Sequence, residues 1–325
     1  MTEISLISVV CPTYNEVDNI ESLLRFFIES LPANKELFII DGGSNDGTIE
    51  LIQSYERKHT NIHLLHNKNK YVPFALNMAI EKCRGDIVVR LDAHTVYAQD
   101  YFEQIINTFN ATNADIVGGP MNASFNTPVQ SAVAYCTSCV FGVGNSMFHN
   151  KDFEGYTDSV YLGAWKRKIF AATGLFDTEM LRNQDDEFHY RAQSLGFKIY
   201  LNPKIKSEYF PRKTFASLFR QYFQYGLFKP TVLKKVKSGL KLRHLIPAGF
   251  VSYILLMPAL FAIIGWPAIL PLCFYLLANF YFSFSNTANA QGIILRPLVF
   301  IILHTAYGLG FILGLNNNVR NFMFR

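Results

Sequence analysis

The stretch Gly85-Asp-Ile-Val-Val-Arg-Leu-Asp-Ala-His-Thr95 is the most informative part of this chain. An apolar run at 87–91 is predicted to be a buried strand, and it ends on a carboxylate and an imidazole. In an open α/β sheet, ligands bind beyond the carboxyl ends of the strands. Asp92 and His94 are expected there, on one side of the chain, because strand side chains repeat every second residue. The pair can hold a divalent metal on a diphosphate; alternatively, Asp92 caps a turn and His94 lies on the surface.

Apolar runs alternate with helical patterns on both sides of this stretch. The runs lie at 6–10, 37–40, 62–65 and 87–91, and the helical patterns at 19–30, 49–58, 74–83 and 101–109. This alternation predicts βαβ units and an α/β fold with a mostly parallel sheet. A shorter strand is expected around Ile116 and Val117. The region 127–157 is rich in Gly, Asn and Ser, and we expect a mobile loop over the site there.

Polar turns follow the first two predicted strands. The first is Cys11-Pro-Thr-Tyr-Asn-Glu16, in which the ring of Tyr14 could stack on a base. The second is Asp41-Gly-Gly-Ser-Asn-Asp-Gly-Thr48, whose glycines permit close approach of the backbone. An acid after the second strand is typical of ribose binding, but the first turn lacks the G-x-G-x-x-G of dinucleotide enzymes. A nicotinamide cofactor is therefore disfavoured, and a metal at Asp92 and His94 would offset the charge of a diphosphate.

A third acidic cluster lies in Arg182-Asn-Gln-Asp-Asp-Glu-Phe-His-Tyr-Arg191, which opens a helical pattern. Carboxylates at a helix start are stabilised by the free amide groups and the helix dipole, so capping alone would explain one of them. Three acids in a row exceed what capping requires. A carboxylate at this position could take the proton of an attacking hydroxyl.

The last quarter of the chain is strongly apolar. Half of the 325 residues are hydrophobic, and no Lys, Arg, Asp or Glu occurs at 245–295 or at 297–319. Because a bilayer core needs about 20 apolar residues per helix, we predict spans near 245–264, 267–284 and 297–315. Several prolines leave a re-entrant or interfacial segment open in place of one span. A buried hairpin of a soluble protein is the other alternative, but the uncharged stretch is longer than such a hairpin needs.

Charge indicates where the rest of the chain lies. The N-terminus lacks a basic start followed by a long apolar region, so the first 240 residues are expected to stay in the cytoplasm. Between Lys204 and Arg243 there are eleven Lys or Arg and one acid, a pattern that favours the cytoplasmic side and attracts anionic lipid. Nucleic acid is a poorer explanation, because no nucleic-acid motif accompanies the charge. We predict a cytoplasmic domain at 1–230, and a basic juxtamembrane segment with a membrane domain at 231–325.

Taken together, these residues resemble family 2 glycosyltransferases of the A-type nucleotide-sugar fold. The matching pieces are the two polar turns, Asp92-Ala-His94 at the position of the family's DxD, and Gln184-Asp185 at the position of its ED. Arg220-Gln-Tyr-Phe-Gln-Tyr-Gly226 loosely resembles the family's QxxRW-type motif, although its spacing alone indicates an amphipathic helix on the membrane or the catalytic domain. With the apolar tail, the combination is most similar to the succinoglycan-type glucosyltransferases of bacterial exopolysaccharide assembly.

The resemblance implies a role for each matching residue. Tyr14, Glu16 and Asp41, with Pro12 in the same motif, would bind the base and ribose of the nucleotide. Asp92 and His94 would hold the metal and the diphosphate, which Arg220 or Gln221 could also touch. Asp185 would be the catalytic base, with Asp186 as the second choice. Because His94 replaces the usual second Asp, Mn²⁺ should suit the site better than Mg²⁺.

The implied activity is the metal-dependent, inverting transfer of a sugar from a UDP-sugar. The sugar is expected to be glucose, and the acceptor a hydroxyl of a polyprenyl-diphosphate-linked saccharide in cell-surface polysaccharide assembly. The implied location is the bacterial inner membrane, with the catalytic domain in the cytoplasm. A polyprenyl-phosphate sugar synthase is an alternative, in which the lipid phosphate attacks and no strong base is needed. A non-catalytic, nucleotide-binding membrane subunit is a further alternative.

Overall fold

A computed structural model of the chain describes residues 4–236, 239–286 and 291–323. The chain forms two compact units: the first comprises Met1–Asn122 and Met147–Tyr209, and the second comprises Ala123–Ser146 and Phe210–Arg325. Residues 1–3, which belong to the N-terminal stretch used to predict a cytoplasmic location, lie outside the described residues. Lys237 of the basic stretch also lies outside them.

Strands and helices alternate through the first part of the chain, as the sequence predicts. The strands, in chain order, are β1 Ile7–Thr13, β2 Lys35–Asp41, β3 Ile62–His66, β4 Ile87–Arg90, β5 Thr95–Tyr97, β6 Ile116–Gly119, β7 Asn122–Ala123, β8 Gly155–Tyr156, β9 Tyr161–Lys166, β10 Ile199–Leu201 and β11 Ser207–Tyr209. The helices are α1 Val17–Glu29, α2 Thr48–Glu56, α3 Val72–Ile80, α4 Tyr101–Ala111, α5 Pro128–Ser138, α6 Val140–Val143, α7 Ile169–Thr173, α8 Gln184–Ser194, α9 Phe215–Lys235, α10 Leu242–Ile264, α11 Leu270–Phe284, α12 Arg296–Gly314 and α13 Asn317–Met323.

The main sheet of the first unit has the strand order β3-β2-β1-β4-β9-β6-β10-β8. Parallel pairing joins β1 to β2 and β4, β2 to β3, and β6 to β10. The strand β9 runs antiparallel between β4 and β6. The predicted mostly parallel sheet is confirmed. The sequence did not indicate its two antiparallel strands, which are β9 in the middle of the sheet and β8 at its edge beside β10.

Helices cover both faces of this sheet, which explains why its central strands are buried almost throughout. Every residue of β2 is buried, as expected for a strand between two helical layers. On α1, the buried residues are Ile20, Leu23, Leu24 and Phe27, which recur at helical spacing and form one apolar stripe. Two buried clusters of aliphatic and aromatic side chains, both from the first unit, make up its core.

The register of the central strands brings three of the predicted site segments to one edge. Thr13 at the end of β1 pairs with Asp41 at the end of β2, and Val10 pairs with Arg90 at the end of β4. Because these strands are parallel, the turns that follow them leave the sheet on the same side.

The expected mobile loop at 127–157 is wrong for its first half, because α5 and α6 form there. The hydroxyl of Thr127 accepts a hydrogen bond from the backbone N–H of Gln130 at 3.2 Å, and Pro128 occupies the first turn of α5. Both are signals of a helix start. The buried face of α5 includes small residues such as Ala132 and Cys136, so its apolar pattern is weak in the sequence.

Three helices of the second unit, among the described residues, are long and apolar enough to cross a membrane. They are Leu242–Ile264, Trp266–Phe284 and Ile293–Gly314. Their bounds agree closely with the three predicted spans.

The predicted amphipathic helix forms as α9, and within its unit it packs on α12. Glycines allow this contact: a Cβ atom on Gly310 would lie 2.1 Å from the carbonyl oxygen of Phe223, and one on Gly226 would lie 2.1 Å from that of Tyr307. The backbones of the two helices therefore approach closely. Helix α9 therefore belongs to the same compact unit as the apolar helices. The cytoplasmic domain predicted from the sequence ends at residue 230, within this helix.

Candidate active site

The turns after β1 and β2 are joined by hydrogen bonds. The backbone N–H of Asn15 donates to the hydroxyl of Ser44 at 2.8 Å, and its side-chain oxygen accepts from the N–H of Asn45 at 3.0 Å. The N–H of Glu16 donates to the hydroxyl of Thr48 at 2.9 Å. Asn15 adopts a left-handed conformation with φ of 53°, which asparagine tolerates well. The two predicted nucleotide-binding turns thus form one structure.

Asp41 organises the second of these turns from a fully buried position. One carboxylate oxygen accepts hydrogen bonds from the N–H of Gly43 at 2.7 Å and of Ser44 at 2.8 Å, and the other accepts from the Ser44 hydroxyl. This pattern resembles the Asx-turn, in which an aspartate fixes the backbone that follows it. The turn-forming role is visible in the structure, whereas the contact with ribose stays a prediction.

Tyr14 presents its ring at the carboxyl edge of the sheet. The residue is 52% exposed, and a Cβ atom on Gly42 would lie 3.5 Å from the ring. Pro12 precedes it within β1, where it pairs with Ile40 of β2. An exposed aromatic ring fixed beside a glycine turn offers a flat surface on which a planar base can stack.

Glu16 and His94 contact each other, which the sequence did not indicate. Oε1 of Glu16 lies 2.8 Å from Nδ1 of His94, and Oε2 accepts a hydrogen bond from the side chain of Asn19 at 2.7 Å. A carboxylate on one ring nitrogen fixes the orientation of an imidazole that binds a metal through the other. Glu16, predicted to bind nucleotide, is therefore placed to orient the predicted metal ligand.

Arg90 links the first acid of the DxD position to the proposed base. Its Nε and Nη2 donate to Oδ1 of Asp92 at 3.1 and 3.0 Å, and its Nη1 donates to Oδ2 of Asp185 at 2.7 Å. Burial alone would lower the pKa of Arg90, but the charges of Asp185 and Asp92, and the hydrogen bonds to them, raise it. The structure thus brings Asp92 and Asp185 to one guanidinium group.

The second oxygen of Asp185 has a different environment. The Oδ1 atom is buried and has no hydrogen-bond partner among the described residues. Buried carboxylate oxygens are normally hydrogen-bonded, so an atom of this kind marks a place where a water or a ligand hydroxyl would fit. The same carboxylate lies in the first turn of α8, where the helix dipole favours a negative charge.

The three acids of the cluster have separate surroundings. Glu187 is buried and forms a paired contact with Arg191, with Nε to Oε1 at 2.7 Å and Nη2 to Oε2 at 2.9 Å. This pair is structural. Asp186, the second choice for the base, is half-buried, and its role stays a prediction.

His189 is a buried residue near this site that the sequence analysis did not single out. Its Nδ1 lies 2.9 Å from the hydroxyl of Ser159, and its Nε2 is buried without a partner among the described residues. Burial lowers the pKa of His189, against the opposite effect of the charges on Asp185, Asp186 and Asp158. Its spacing of four residues from Asp185 places both on one face of α8, which is the signal that could have identified it.

Arg220 and Gln221 lie on α9, in the second unit. The side chain of Gln221 donates to the hydroxyl of Tyr225 at 2.9 Å and accepts from Nε of Arg212 at 3.3 Å. The suggested contact of these two residues with the diphosphate stays a prediction.

The residues around Asp92 fit a cation that shares its coordination with a ligand. Within the described ranges, no three His, Cys, Asp or Glu side chains gather as a complete metal site. As predicted metal ligands, Asp92 and His94 would supply one oxygen and one nitrogen donor, a combination suited to Mn²⁺. Cations at phosphate sites commonly take only one or two protein ligands and complete their shell with phosphate oxygens and water.

Comparisons with known proteins give a consistent result. The model of the family described as "Glycosyl transferase family 2" matches residues 8–170. The "Succinoglycan biosynthesis protein ExoA" of Rhizobium meliloti (strain 1021) is 30% identical over 266 residues, which cover 81% of this chain and 80% of that protein.

Two further proteins are similar to this chain, one in sequence and one in fold. A dolichyl N-acetyl-alpha-D-glucosaminyl phosphate 3-beta-D-2,3-diacetamido-2,3-dideoxy-beta-D-glucuronosyltransferase of Methanococcus voltae is 30% identical over 263 residues, covering 77% of this chain and 80% of its own length. A solved mannosyltransferase of Pyrobaculum calidifontis, in complex with GDP-Man and Mn²⁺, is similar with a TM-score of 0.62 at 19% identity. The similarity covers 93% of this chain and 86% of that chain, and it confirms the predicted A-type fold.

Proposed function

Because the chain belongs to glycosyl transferase family 2 and is a glycosyltransferase, we propose that it moves a sugar from a nucleotide donor to a lipid-linked saccharide. The proposed donor is a UDP-sugar, with glucose as the sugar. The proposed acceptor is a hydroxyl of a polyprenyl-diphosphate-linked glycan. The proposal rests on the contact of both Asp92 and Asp185 with the guanidinium of Arg90. This contact brings the residue predicted to hold the metal and diphosphate of the donor close to the predicted base.

The proposed chemistry is an inverting displacement at the anomeric carbon. Asp185 accepts the proton of the acceptor hydroxyl as its oxygen forms a bond to that carbon from the face opposite the leaving group. The bond between the anomeric carbon and the diphosphate oxygen breaks, and its electron pair leaves with the nucleoside diphosphate. Asp92 and His94 would hold Mn²⁺ or Mg²⁺, which supplies positive charge that stabilises the departing diphosphate.

The acceptor is proposed to be bound to a lipid because of the second unit. Its three apolar helices and the basic stretch before them suit a chain that is anchored in a membrane with anionic lipid. The name of the Methanococcus relative includes a dolichyl N-acetyl-alpha-D-glucosaminyl phosphate, which is a lipid-linked sugar. We place this enzyme in the bacterial inner membrane with its first unit in the cytoplasm.

A donor screen tests this function. The detergent-solubilised enzyme is incubated with UDP-glucose, other UDP-sugars and GDP-mannose, each with Mn²⁺ and a lipid-linked glycan extract, and release of nucleoside diphosphate is measured. Release of UDP that depends on the extract supports the proposal. Release of GDP alone would replace the donor, and no release from any sugar nucleotide would contradict the proposed transfer.

A further inference from the structure

Arg90 has a fixed position that a loop residue would not have. It is the last residue of β4, its backbone pairs with Val10 of β1, and it is 8% exposed. The side chain therefore leaves from the centre of a sheet that is covered on both faces. Its head group lies just beyond the edge from which the predicted nucleotide-binding turns emerge.

The shape of the guanidinium matters for the two acids that share it. Its donors lie in one plane at fixed angles, so two carboxylates that bind it are also fixed relative to each other. Asp92 occupies Nε and Nη2, while Asp185 occupies Nη1. A lysine ammonium would keep the charge but could not impose this geometry.

The negative charges of Asp92 and Asp185 also require a positively charged group between them. Two carboxylates close together repel each other, and a single positive group between them offsets this repulsion. Arg90 itself is buried, and a buried cation is stable only when it is paired and hydrogen-bonded. The three side chains therefore form a unit in which each member depends on the others.

We propose that Arg90 is a positioning residue for the reaction, acting through Asp185 and Asp92 without touching the sugar. It holds the base at a set distance from the acid that would bind the donor's cation. The inference rests on the proposed function, because it assigns those two roles to Asp185 and Asp92. A misplacement of about 1 Å between reacting groups can lower a rate by about 10²-fold. Loss of the hydrogen bonds from the Arg90 guanidinium to Asp92 and Asp185 should therefore reduce turnover strongly.

The test is the substitution Arg90→Lys, with kcat, donor KM and nucleotide affinity measured separately. We expect kcat to fall by about 10²-fold, while the donor KM and the Kd for UDP with Mn²⁺, measured by calorimetry, change by less than about threefold. Calorimetry also gives the number of competent sites, so kcat is expressed per folded molecule. The matched control is Arg191→Lys, which alters the half-buried arginine–carboxylate pair within α8 and should lower the unfolding temperature without lowering kcat.

The same substitution in a second variant distinguishes a positioning role of Arg90 from a general contribution to the stability of the fold. In the Asp185→Asn protein, Arg90→Lys should reduce kcat by no more than about threefold, because residues that act as one unit are not additive. An equal loss of kcat in both backgrounds would overturn the inference, as would an unchanged kcat in Arg90→Lys. A rise of Kd with kcat unchanged would show instead that Arg90 binds the donor. If the unaltered enzyme consumes no nucleotide sugar, the proposed function fails first, and the inference fails with it.

Discussion

The Nη1 atom of Arg90 lies 2.7 Å from Oδ2 of Asp185, although the two residues are 95 positions apart in the chain. One belongs to the end of a central strand and the other to the first turn of α8. The contact therefore connects the part of the fold that is predicted to bind the donor with the part predicted to activate the acceptor.

Replacing Asp185 by asparagine should remove the base while preserving the shape of the side chain. We expect kcat to fall by about 10²- to 10⁴-fold with little change in UDP affinity, because general base catalysis typically contributes this much. The measurement is steady-state UDP release together with calorimetric UDP binding. Asp186→Asn should have a smaller effect; a larger one would transfer the role to Asp186. Full turnover of Asp185→Asn with polyprenyl phosphate as acceptor would favour the synthase alternative.

Removal of divalent metal should abolish turnover. Chelation with EDTA is expected to stop UDP release, and added Mn²⁺ should restore it more effectively than Mg²⁺, because the site offers an imidazole beside a carboxylate. In His94→Asp, this preference should shift toward Mg²⁺. The check is a titration of rate against each metal in both proteins. An undiminished rate in excess EDTA would rule out the proposed role of Asp92 and His94.

Tyr14 should contribute to nucleotide affinity through its ring. Tyr14→Ala is expected to weaken UDP binding by about tenfold, since aromatic stacking contributes roughly 0.5–1.5 kcal/mol beyond buried area. Tyr14→Phe keeps the ring and should bind UDP with an affinity close to that of the unaltered protein. Calorimetry on both variants decides the matter. Equal losses in the two variants would point to the hydroxyl rather than the ring.

Stability should decrease in acid because of His189. Burial lowers the pKa of this imidazole from its ordinary value of 6.5, so the unfolded chain takes up a proton below that pH while the folded protein does not. The free energy of unfolding therefore falls as the pH decreases from 6.5 toward the folded-state pKa, by at most about 1.4 kcal/mol per pH unit for one proton.

The corresponding variant is His189→Gln, which should show a flatter dependence of unfolding temperature on pH between 7 and 5 than the unaltered protein. His66→Gln, at an exposed position, serves as the control and should keep the original slope. A slope that survives in His189→Gln would assign the acid sensitivity to other groups.

The close contact of α9 with α12 should not tolerate a side chain. In Gly310→Ala, the new Cβ atom would lie 2.1 Å from the carbonyl oxygen of Phe223, and overpacking of this kind costs about 1–3 kcal/mol. The unfolding temperature in detergent should fall accordingly. Gly249→Ala is the matched control, because a Cβ atom there meets nothing within 4 Å, and it should be neutral or slightly stabilising.

The parts of the site that the sequence predicted are those with short-range signals. The turn at Asp41, the DxD position and the acids of α8 each follow a recognisable run or helix start. The contacts between these parts could not be predicted in this way. Glu16 and His94 are 78 positions apart. Arg90 lies inside an apolar run, and no local motif indicates a role for it. Partners of this kind depend on which strand ends meet in space.

The same reasoning explains the main errors in the fold. Strand β9 pairs with β4 and β6, which are both distant from it in the chain, and it contains Gly163 within a short run. Helix α5 carries small residues on its buried side, and their contacts come from α12 near the other end of the chain. Local pattern is a weak guide where packing partners are remote.

The position of α5 also affects how this enzyme can be handled. Ala132, Val133 and Cys136 of α5 are buried in a cluster with Val299, Phe300 and Leu303 of α12, and the Tyr135 hydroxyl donates to the carbonyl of Phe282 at 2.6 Å. A fragment that ends at residue 230, or just before α10, would lack α12 and would expose the apolar face of α5 to solvent. Such a fragment should precipitate, so purification and crystallisation call for the whole polypeptide in detergent or nanodiscs.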